Sequence, residues 1–413
     1  MALRLNRRHF LQGSAGAAVA ATGPWYIKDL RAEDPIKIAG IHDGSGGLEI
    51  YCLPMIKCLN LAVEEANENG GVLGRPVELL NYDAQSNMQL YTQYATEAAT
   101  RERVSVVFGG MTSASREVIR PVVGRYQTLY FYNTLYEGGV CDRNIFCTGS
   151  TPAQTLEKLV PYIIEKWGPK IYTLAADYNY GQITSKWIEK YALENGGEVV
   201  QNDYFPLDVA DFGSTVQKIQ AAQPDIVMSI LVGAAHLGFY RQWAAAGMTS
   251  QIPMASTTFG IDNAQVLTTP EEHNGILVSY GYFEKIQTPE NQAFVEKYYA
   301  RYPDGEPLTE LAMMTYHGFQ LWKKAAEMAG TVDRMPVIEA METGLSYDGP
   351  AGKTTIDPAT HHNILDVYIG EAQDSAFEVL ESFSQQFPND TAAVCDLIAN
   401  PDDNQQYVVE VSG

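Results

Sequence analysis

Apolar and polar positions alternate along the chain in two different periods, and this alternation predicts the architecture. Ile36 to Ile41 and Val77 to Tyr82 have the length and pattern of strands. Between them, apolar residues at positions 56, 59, 63 and 66 recur at helical spacing, and Gly70-Gly71 ends that helix. Strands that alternate with helices predict mainly parallel sheets with flanking helices, an α/β fold.

The alternation starts again after residue 152, so we predict two lobes of the same plan. Four strands with helices between them are predicted there: Lys170 to Ala176, Val199 to Phe205, Asp225 to Leu231 and Ile252 to Ser256. A strand, three helices and a late strand are predicted next: Ile276 to Phe283, Asn291 to Tyr302, Glu310 to Met328, Pro336 to Glu342 and Ile364 to Glu371. We assign residues 34–149 and 281–344 to lobe 1, and residues 150–280 and 345–413 to lobe 2. The acidic tail from Phe387 is predicted to pack on the surface.

One stretch, residues 104–138, carries polar and aromatic side chains to two neighbouring strand ends. The predicted strand Val104 to Phe108 leads through Gly109-Gly110 to a helix predicted at Arg116 to Val123. The next predicted strand, Thr128 to Tyr132, brings three side chains to its far end and the following loop: Tyr132, Thr134 and Tyr136. Ligands bind at this edge of open α/β sheets, and a helix N-terminus there offers N–H donors to a carbonyl oxygen or a carboxylate. The stretch holds no nucleophile–base–acid set, so we predict a binding site and no enzyme.

Two further tyrosines, Tyr178 and Tyr180, fall in the loop just after the predicted strand that ends at Ala176. Tyrosine supplies an apolar wall and one hydroxyl, which suits a small, neutral, polar solute. An alternative stays open, in which Ser113 caps a helix and the tyrosines are ordinary half-buried residues.

Charge and the N-terminus restrict the class of protein. The 413 residues carry 28 Lys and Arg against 50 Asp and Glu, a net charge of −22 without a basic stripe, which argues against nucleic acid and anionic membranes as partners. Asn6 to Leu11, with its paired arginines, precedes a weakly apolar run from Gly13 to Ala21. This arrangement resembles a twin-arginine export signal, so we predict that residues 1–32 are a cleaved signal and that the protein is periplasmic.

Cysteine, histidine and glycine motifs give no cofactor or metal site. Five cysteines cannot all pair internally, and Cys141 and Cys147 flank a turn-like segment that suits a local disulfide. Glu49 stands where the last glycine of a dinucleotide fingerprint is needed, and its carboxylate would oppose a pyrophosphate. His361 and His362 are neighbours predicted to point to opposite faces of a strand, so joint metal ligation is not expected.

Four sequence runs resemble a known family. The run Ala62 to Arg75 is similar to type I periplasmic solute-binding proteins of ABC importers, which include the leucine/isoleucine/valine-binding proteins. Three shorter runs, Gly110 to Arg116, Tyr132 to Gly138 and Asp177-Tyr178, resemble the urea and short-chain amide branch. The resemblance implies two Rossmann-like lobes joined by a hinge of three crossings, with a ligand trapped between them.

The resemblance also implies site residues. Ser113 would hold the ligand carbonyl from the first lobe, Tyr132 and Thr134 would bind or wall the amide, Tyr178 would close from the second lobe, and Thr257 is a further candidate. Met111 stands where the amide sensor of this branch has a tyrosine, and Asn133 and Leu135 replace prolines, which bears on pocket volume. The full set of candidates is Met111, Ser113, Tyr132, Thr134, Tyr136, Tyr178, Tyr180 and Thr257.

Three functional hypotheses follow. The first is an exported binding protein that captures urea or a short-chain amide by hinge closure and delivers it to an inner-membrane ABC permease. The second is a binder of the same fold for a branched-chain or other amino acid, which needs an acidic partner for the ammonium group, with Glu49, Glu137 and Asp177 as the candidates. The third, an amidase or other hydrolase, lacks the triad and metal motifs it would need.

Overall fold

The computed structural model describes residues 34–410, which form two main β-sheets with flanking helices. The predicted export signal in residues 1–32 lies outside the described residues. Within the described range, no helix is long and apolar enough to cross a lipid bilayer. The α/β class predicted from the sequence pattern is confirmed.

The first sheet is built from the N-terminal third of the described chain. Its strands are β1 (Ile36–His42), β2 (Val77–Asp83), β3 (Val106–Gly109), β4 (Leu129–Tyr132) and β6 (Ile145–Cys147), with β5 (Val140–Asp142) standing outside it. They pair in parallel in the order β2-β1-β3-β4-β6. The connecting helices are α1 (Glu49–Glu68), α2 (Met88–Glu97), a π-helical turn (Ala98–Glu102) and α3 (Ser113–Arg125). The carboxyl ends of β3 and β4 therefore meet at one edge.

The second sheet mixes parallel and antiparallel strands. Its strands are β7 (Lys170–Ala176), β8 (Glu198–Phe205), β9 (Ile226–Ile230), β10 (Met254–Ser256), β11 (Leu277–Tyr280), β12 (Ser346–Gly349), β13 (Gly352–Ile356), β14 (Asn363–Gln373) and β15 (Ala376–Gln386). Strands β7 to β11 pair in parallel, whereas β12 to β15 join as antiparallel neighbours. The helices between these strands are α4 (Pro152–Trp167), α5 (Asn179–Glu194), α6 (Gly213–Ala222), α7 (Ala234–Ala245), α8 (Ala264–Leu267) and α9 (Pro270–His273).

Three further helices lie in sequence between β11 and β12 but pack on the first sheet: α10 (Pro289–Arg301), α11 (Glu310–Ala329) and α12 (Arg334–Met341). Arg301 on α10 pairs with Glu64 on α1 at 2.9 Å. The rings of Phe319 and Trp322 on α11 lie 6.2 and 6.4 Å from the ring of Phe108 in β3. The chain thus passes between the sheets after β6, after β11 and after α12, as the resemblance implies. We call residues 148–151, 281–288 and 342–345 the crossing segments.

A fourth passage, which the sequence did not predict, follows β15. The tail forms α13 (Asn389–Ala392) and β16 (Asn404–Gln406), and β16 pairs antiparallel with β5 of the first half. Asp390 is buried and accepts hydrogen bonds from the Thr151 hydroxyl at 2.9 Å and the Ala153 N–H at 3.0 Å. The prediction that this tail only packs on the surface is therefore wrong. The lobe boundaries themselves stay a prediction.

A disulfide fastens the tail and corrects a second prediction. Cys141 on β5 is bonded to Cys395, with a Cα–Cα distance of 5.4 Å. The local pair with Cys147 is wrong, because Cys147 ends β6 inside the first sheet and is buried as a free thiol in that sheet's core. Cys141 instead packs in a small separate cluster with Cys395 and Leu397 of the tail.

Candidate ligand-binding site

The first turn of α3 supplies backbone donors to the edge where β3 ends. Thr112 is the N-cap residue, because its Oγ1 accepts a hydrogen bond from the Ser115 N–H at 3.0 Å. The alternative in which Ser113 caps the helix is therefore wrong, and Ser113 is the first helical residue. Among the described residues, no backbone carbonyl accepts from the N–H of Ser113 or Ala114, as expected for a helix start. These two N–H groups can receive a carbonyl or carboxylate oxygen.

Two hydroxyl groups at the carboxyl end of β4, the neighbour of β3, supply acceptors. The Tyr132 hydroxyl donates to the Met111 carbonyl at 3.0 Å, and the Thr134 hydroxyl donates to the Gly110 carbonyl at 3.3 Å. A carbonyl oxygen cannot donate, so each hydroxyl uses its proton there and keeps lone pairs for another donor. Burial raises the pKa of the Tyr132 hydroxyl, which keeps it protonated near neutral pH.

The second sheet contributes an aromatic wall at the start of α5. The ring centres of Tyr178 and Tyr180 are 6.1 Å apart. Helix α5 begins at Asn179, so Tyr180 lies in its first turn and not in the predicted loop. The Tyr180 hydroxyl donates to Thr257 Oγ1 at 2.9 Å, which fixes the ring against the end of β10.

Two residues that the sequence analysis missed complete the wall. The Thr258 hydroxyl donates to the Leu231 carbonyl at 2.7 Å, and its oxygen also lies 3.2 Å from His236 Nδ1 and 3.4 Å from Ser256 Oγ. The Tyr51 hydroxyl, on α1, accepts from the Gly233 N–H at 3.1 Å and thereby links the two sheets. The sequence carried a signal for Thr258, which adjoins the candidate Thr257. It carried none for Tyr51, whose position depends on how the two sheets approach each other.

These side chains enclose a void of about 20 Å³ between the sheets, which we call the central cleft. Six of the eight predicted residues line it: Met111, Ser113, Tyr132, Thr134, Tyr178 and Tyr180. The other two, Tyr136 and Thr257, line a neighbouring void that also touches Tyr180. The other residues that line the cleft were not among the eight candidates: Tyr51, Thr112, Leu135, Val232, Thr258 and Ile261. The structure thus brings the predicted residues together, and their role in binding stays a prediction.

A buried ion pair lies directly behind Ser113. Arg116 Nη2 is 3.0 Å from Glu137 Oε1, and both side chains are fully buried. The guanidinium lies 5.0 and 4.5 Å from the ring centres of Tyr132 and Tyr136. Burial acts to lower the pKa of Arg116, but Glu137 and the other anionic neighbours outweigh it and raise that pKa above its ordinary value. The pair therefore holds its charges while supporting the rings that line the cleft.

The three carboxylates considered for binding an ammonium group are poorly placed for it. Glu137 accepts hydrogen bonds from Ser113 Oγ, Arg116, Asn179 and Gln406. Asp177 is exposed and accepts from Gln182 at 2.9 Å. Glu49 is half-buried, and neither it nor Asp177 lines the central cleft. An ammonium group in the cleft would meet hydroxyl oxygens and no free carboxylate.

The adjacent histidines serve separate contacts. His362 Nε2 is hydrogen-bonded to the Tyr136 hydroxyl, which also accepts from the Val140 N–H at 3.1 Å. His361 Nε2 lies 3.1 Å from Glu342 Oε1, and both histidines precede β14 instead of lying on a strand. Among the described residues, no group of three or more His, Cys, Asp or Glu side chains is arranged to hold a metal ion.

Comparison with known proteins establishes the family. The periplasmic binding protein domain matches residues 36–392 of this chain. The chain belongs to the periplasmic binding protein family. The tail with Cys395 and β16 lies beyond the matched range.

Two curated relatives share about a quarter of their aligned residues with this chain. Leu/Ile/Val-binding protein homolog 6 of Brucella melitensis is 26% identical over 249 residues, which is 58% of this chain and 63% of the relative. The alignment thus spans less than two thirds of that relative's length. Leu/Ile/Val-binding protein homolog 7 of Brucella abortus is 23% identical over 370 residues, which is 84% of this chain and 88% of the relative.

Solved structures share the fold over most of the chain. A solute-binding protein of an ABC transporter from Rhodopseudomonas palustris, in complex with p-hydroxybenzoic acid, has a TM-score of 0.78 at 24% identity and covers 87% of this chain and 100% of its own. The branched-chain amino acid binding protein LivJ from Streptococcus pneumoniae, in complex with isoleucine, has a TM-score of 0.74 at 21% identity and covers 85% and 99%. Both likenesses support the two-lobe α/β architecture.

Proposed function

We propose that this protein is the exported solute-binding component of an ABC transporter and that it captures urea or a short-chain amide in the central cleft. In this proposal lobe 1 comprises residues 34–149 and 281–344, and lobe 2 comprises residues 150–280 and 345–413. The protein acts in the periplasm after export by a twin-arginine signal. It delivers the solute to an inner-membrane permease without chemical change.

The hydrogen-bonding inventory of the cleft carries this proposal. The hydroxyls of Tyr132 and Thr134 each donate to a backbone carbonyl and so offer lone pairs to the ligand. The N–H groups of Ser113 and Ala114 offer hydrogen-bond donors to an oxygen atom of the ligand. A neutral amide has one carbonyl oxygen for the donors and an NH₂ group for the acceptors. A benzoate would bring only acceptors to these two hydroxyl oxygens.

The size of the cleft supports a small solute. A void needs about 10–15 Å³ to hold one water molecule, and a benzene guest occupies a cavity of about 150 Å³. The central cleft, at about 20 Å³, is close to the size that holds one water molecule and far below the size that holds benzene. Urea, with four heavy atoms, requires a small outward movement of the walls, whereas an aromatic ring requires the cleft to be remodelled.

Capture by closure of the two lobes follows from where the contacts lie. Met111, Ser113 and Thr134 come from the first-sheet side and Tyr178 and Thr258 from the second. A ligand touches both sets only when the cleft is shut, so binding shifts the population toward the closed form. The closed form would then be the state that docks on the permease.

An amino acid remains the second candidate, because the α3 N-terminus suits a carboxylate as well as a carbonyl. The names of the two Brucella relatives favour it. The absence of a free carboxylate among the residues that line the central cleft disfavours it, since the ammonium group would be paired only with neutral oxygens.

Calorimetric titration of the purified protein with urea, acetamide, isoleucine and benzoate separates these candidates. We expect saturable binding of urea or acetamide and none of benzoate. Saturable isoleucine binding without amide binding would establish the second candidate, and benzoate as the tightest ligand would overturn both.

A conservative substitution tests the acceptor argument directly. Thr134→Val keeps the shape but leaves a ligand N–H without its acceptor, which costs about 1–3 kcal/mol, a five- to 150-fold loss of affinity. Thr315→Val is the matched control, because Thr315 is equally buried and donates to the Leu311 carbonyl at 2.7 Å but does not line the cleft. Equal amide affinity in the two variants would contradict the proposed role of Thr134.

A further inference from the structure

A second cavity, much larger than the central cleft, lies beside the crossing segments. Its volume is about 560 Å³, within the range of small-molecule sites. Residues 260–265, 280–285, 307–310 and 373–378 contribute its walls, and we call it the hinge cavity. It shares only Ile261 with the lining of the central cleft, so the two are separate sites.

One wall of the hinge cavity is a continuous aromatic surface. The ring of Phe283 lies 5.7 Å from that of Tyr280 and 5.3 Å from that of Phe377. Phe377, at the start of β15, covers the backbone of Gly260, where a Cβ atom would lie only 2.3 Å from the ring. The Tyr280 hydroxyl donates to the Phe259 carbonyl at 2.8 Å and holds its ring in place. These faces attract planar rings and cations.

A buried acceptor without a partner lies in the same cavity. Gln265 is only 4% exposed, and its Oε1 has no hydrogen-bond partner among the described residues, while its Nε2 donates to Asn263 Oδ1 at 3.3 Å. A buried polar atom without a partner costs free energy, and a ligand N–H that reaches Oε1 would recover it.

The charge of the hinge cavity selects among ligands. Four carboxylates line it, against one ammonium group, Lys285. Glu310 already accepts from the N–H groups of Ser150 and Gly281, each at 2.9 Å. Glu284 accepts from the Leu308 N–H at 2.6 Å, which leaves the exposed Asp374 and Glu378 at the rim to act on a ligand. An anion is disfavoured here and a cation is attracted.

We propose that the hinge cavity is a second binding site, for a small aromatic organic cation that carries N–H donors. The ring of such a ligand stacks on Tyr280, Phe283 and Phe377, and an N–H donates to Gln265 Oε1. The rim carboxylates of Asp374 and Glu378 attract its charge. This site is independent of the solute in the central cleft.

Benzamidine is the probe, since it combines a phenyl ring with a cationic group that has several N–H donors. We expect saturable one-to-one binding to the full chain by calorimetry, with benzoate, of equal size and opposite charge, not binding at this cavity. Benzamide, its neutral analogue, should bind at least about fivefold more weakly. Absence of saturable benzamidine binding at millimolar concentration, or equal affinity for benzamide, would overturn the assignment.

Four variants locate the binding. Ala376→Trp places a large side chain in the cavity and should abolish benzamidine binding, whereas Val379→Trp, on the exposed part of the same strand, should leave it unchanged. Gln265→Leu should weaken binding at least about fivefold. Benzamidine affinity that survives Ala376→Trp, with a wild-type circular dichroism spectrum, would refute the site. Thr134→Val should not alter benzamidine binding, so failure in the central cleft and failure here are distinguishable.

Discussion

Replacing Cys141 and Cys395 together by alanine removes the covalent link between the C-terminal tail and β5. The two residues are 254 positions apart. A loop of this length gives about 5.5 kcal/mol of stabilisation at 25 °C in the chain-entropy treatment, and measured losses for native disulfides are about 2–5 kcal/mol. The pairing of β16 with β5 and the buried Asp390 still hold the tail in the variant. We therefore expect the folded structure to persist with its unfolding free energy lowered by about 2–5 kcal/mol.

Unfolding in guanidinium chloride, followed by tryptophan fluorescence, measures this loss with and without a thiol reductant. The wild-type midpoint should fall when reductant is added, and the double variant should not respond. Cys147→Ala is the matched control and should respond like the wild type, because Cys147 is a free thiol. A wild-type protein that ignores reductant, or a Cys147→Ala variant that loses the response, would refute the Cys141–Cys395 assignment.

Three further predictions concern buried charge. Glu137→Gln removes the fully buried anion from Arg116, which keeps only the half-buried Glu117 at 2.9 Å. The unfolding free energy should fall by about 3 kcal/mol, the lower end for breaking a buried pair; a urea midpoint equal to that of the wild type contradicts this. Burial lowers the pKa of His42 to about 4, so between pH 7 and pH 5 the unfolded state binds a proton that the folded state does not. Stability should therefore fall by about 2 kcal/mol on acidification through this histidine, and His42→Leu should remove that part of the slope measured by urea unfolding. In Glu310→Gln only one side-chain oxygen remains to accept from the crossing segments, so the variant should lose about 1–3 kcal/mol of stability. Amide exchange should become faster at one of the two N–H groups that Glu310 holds. Unchanged exchange at both groups contradicts the role of Glu310.

The strands and helices whose sides face a core could be predicted from the sequence. Lys170 to Ala176 was predicted with the bounds that β7 has, and Glu310 to Met328 differs from α11 by one residue. The local pattern of apolar residues is enough to predict such elements, because a strand or helix that buries one face or both shows that burial in the spacing of its apolar residues. Strands β5 and β16 were missed because they pair with each other across distant parts of the chain. Strands β12, β13 and β15 were also missed, although β12 with β13 and β14 with β15 form local antiparallel hairpins.

Some residues of the candidate site could be predicted from the sequence and others could not. Ser113, Tyr132, Thr134 and Tyr178 could be named because strand ends of parallel sheets meet at one edge. Tyr51, the ion pair of Arg116 with Glu137, and the approach of Gln406 to that pair could not be named. None of these contacts leaves a local signature, since each joins residues that the chain brings together only when both sheets and the tail are in place.

The sequence alone therefore determined the α/β class and most of the polar groups at the strand ends, because these follow from short-range periodicity and from the geometry of parallel strands. Only the tertiary structure decided that Cys141 pairs with Cys395, that the tail returns to β5, and that a small cleft and a larger hinge cavity lie on either side of Ile261. Those outcomes depend on how the two sheets and the four chain passages pack against each other. Such packing involves residues that are far apart in the sequence, so no single run of residues determines it.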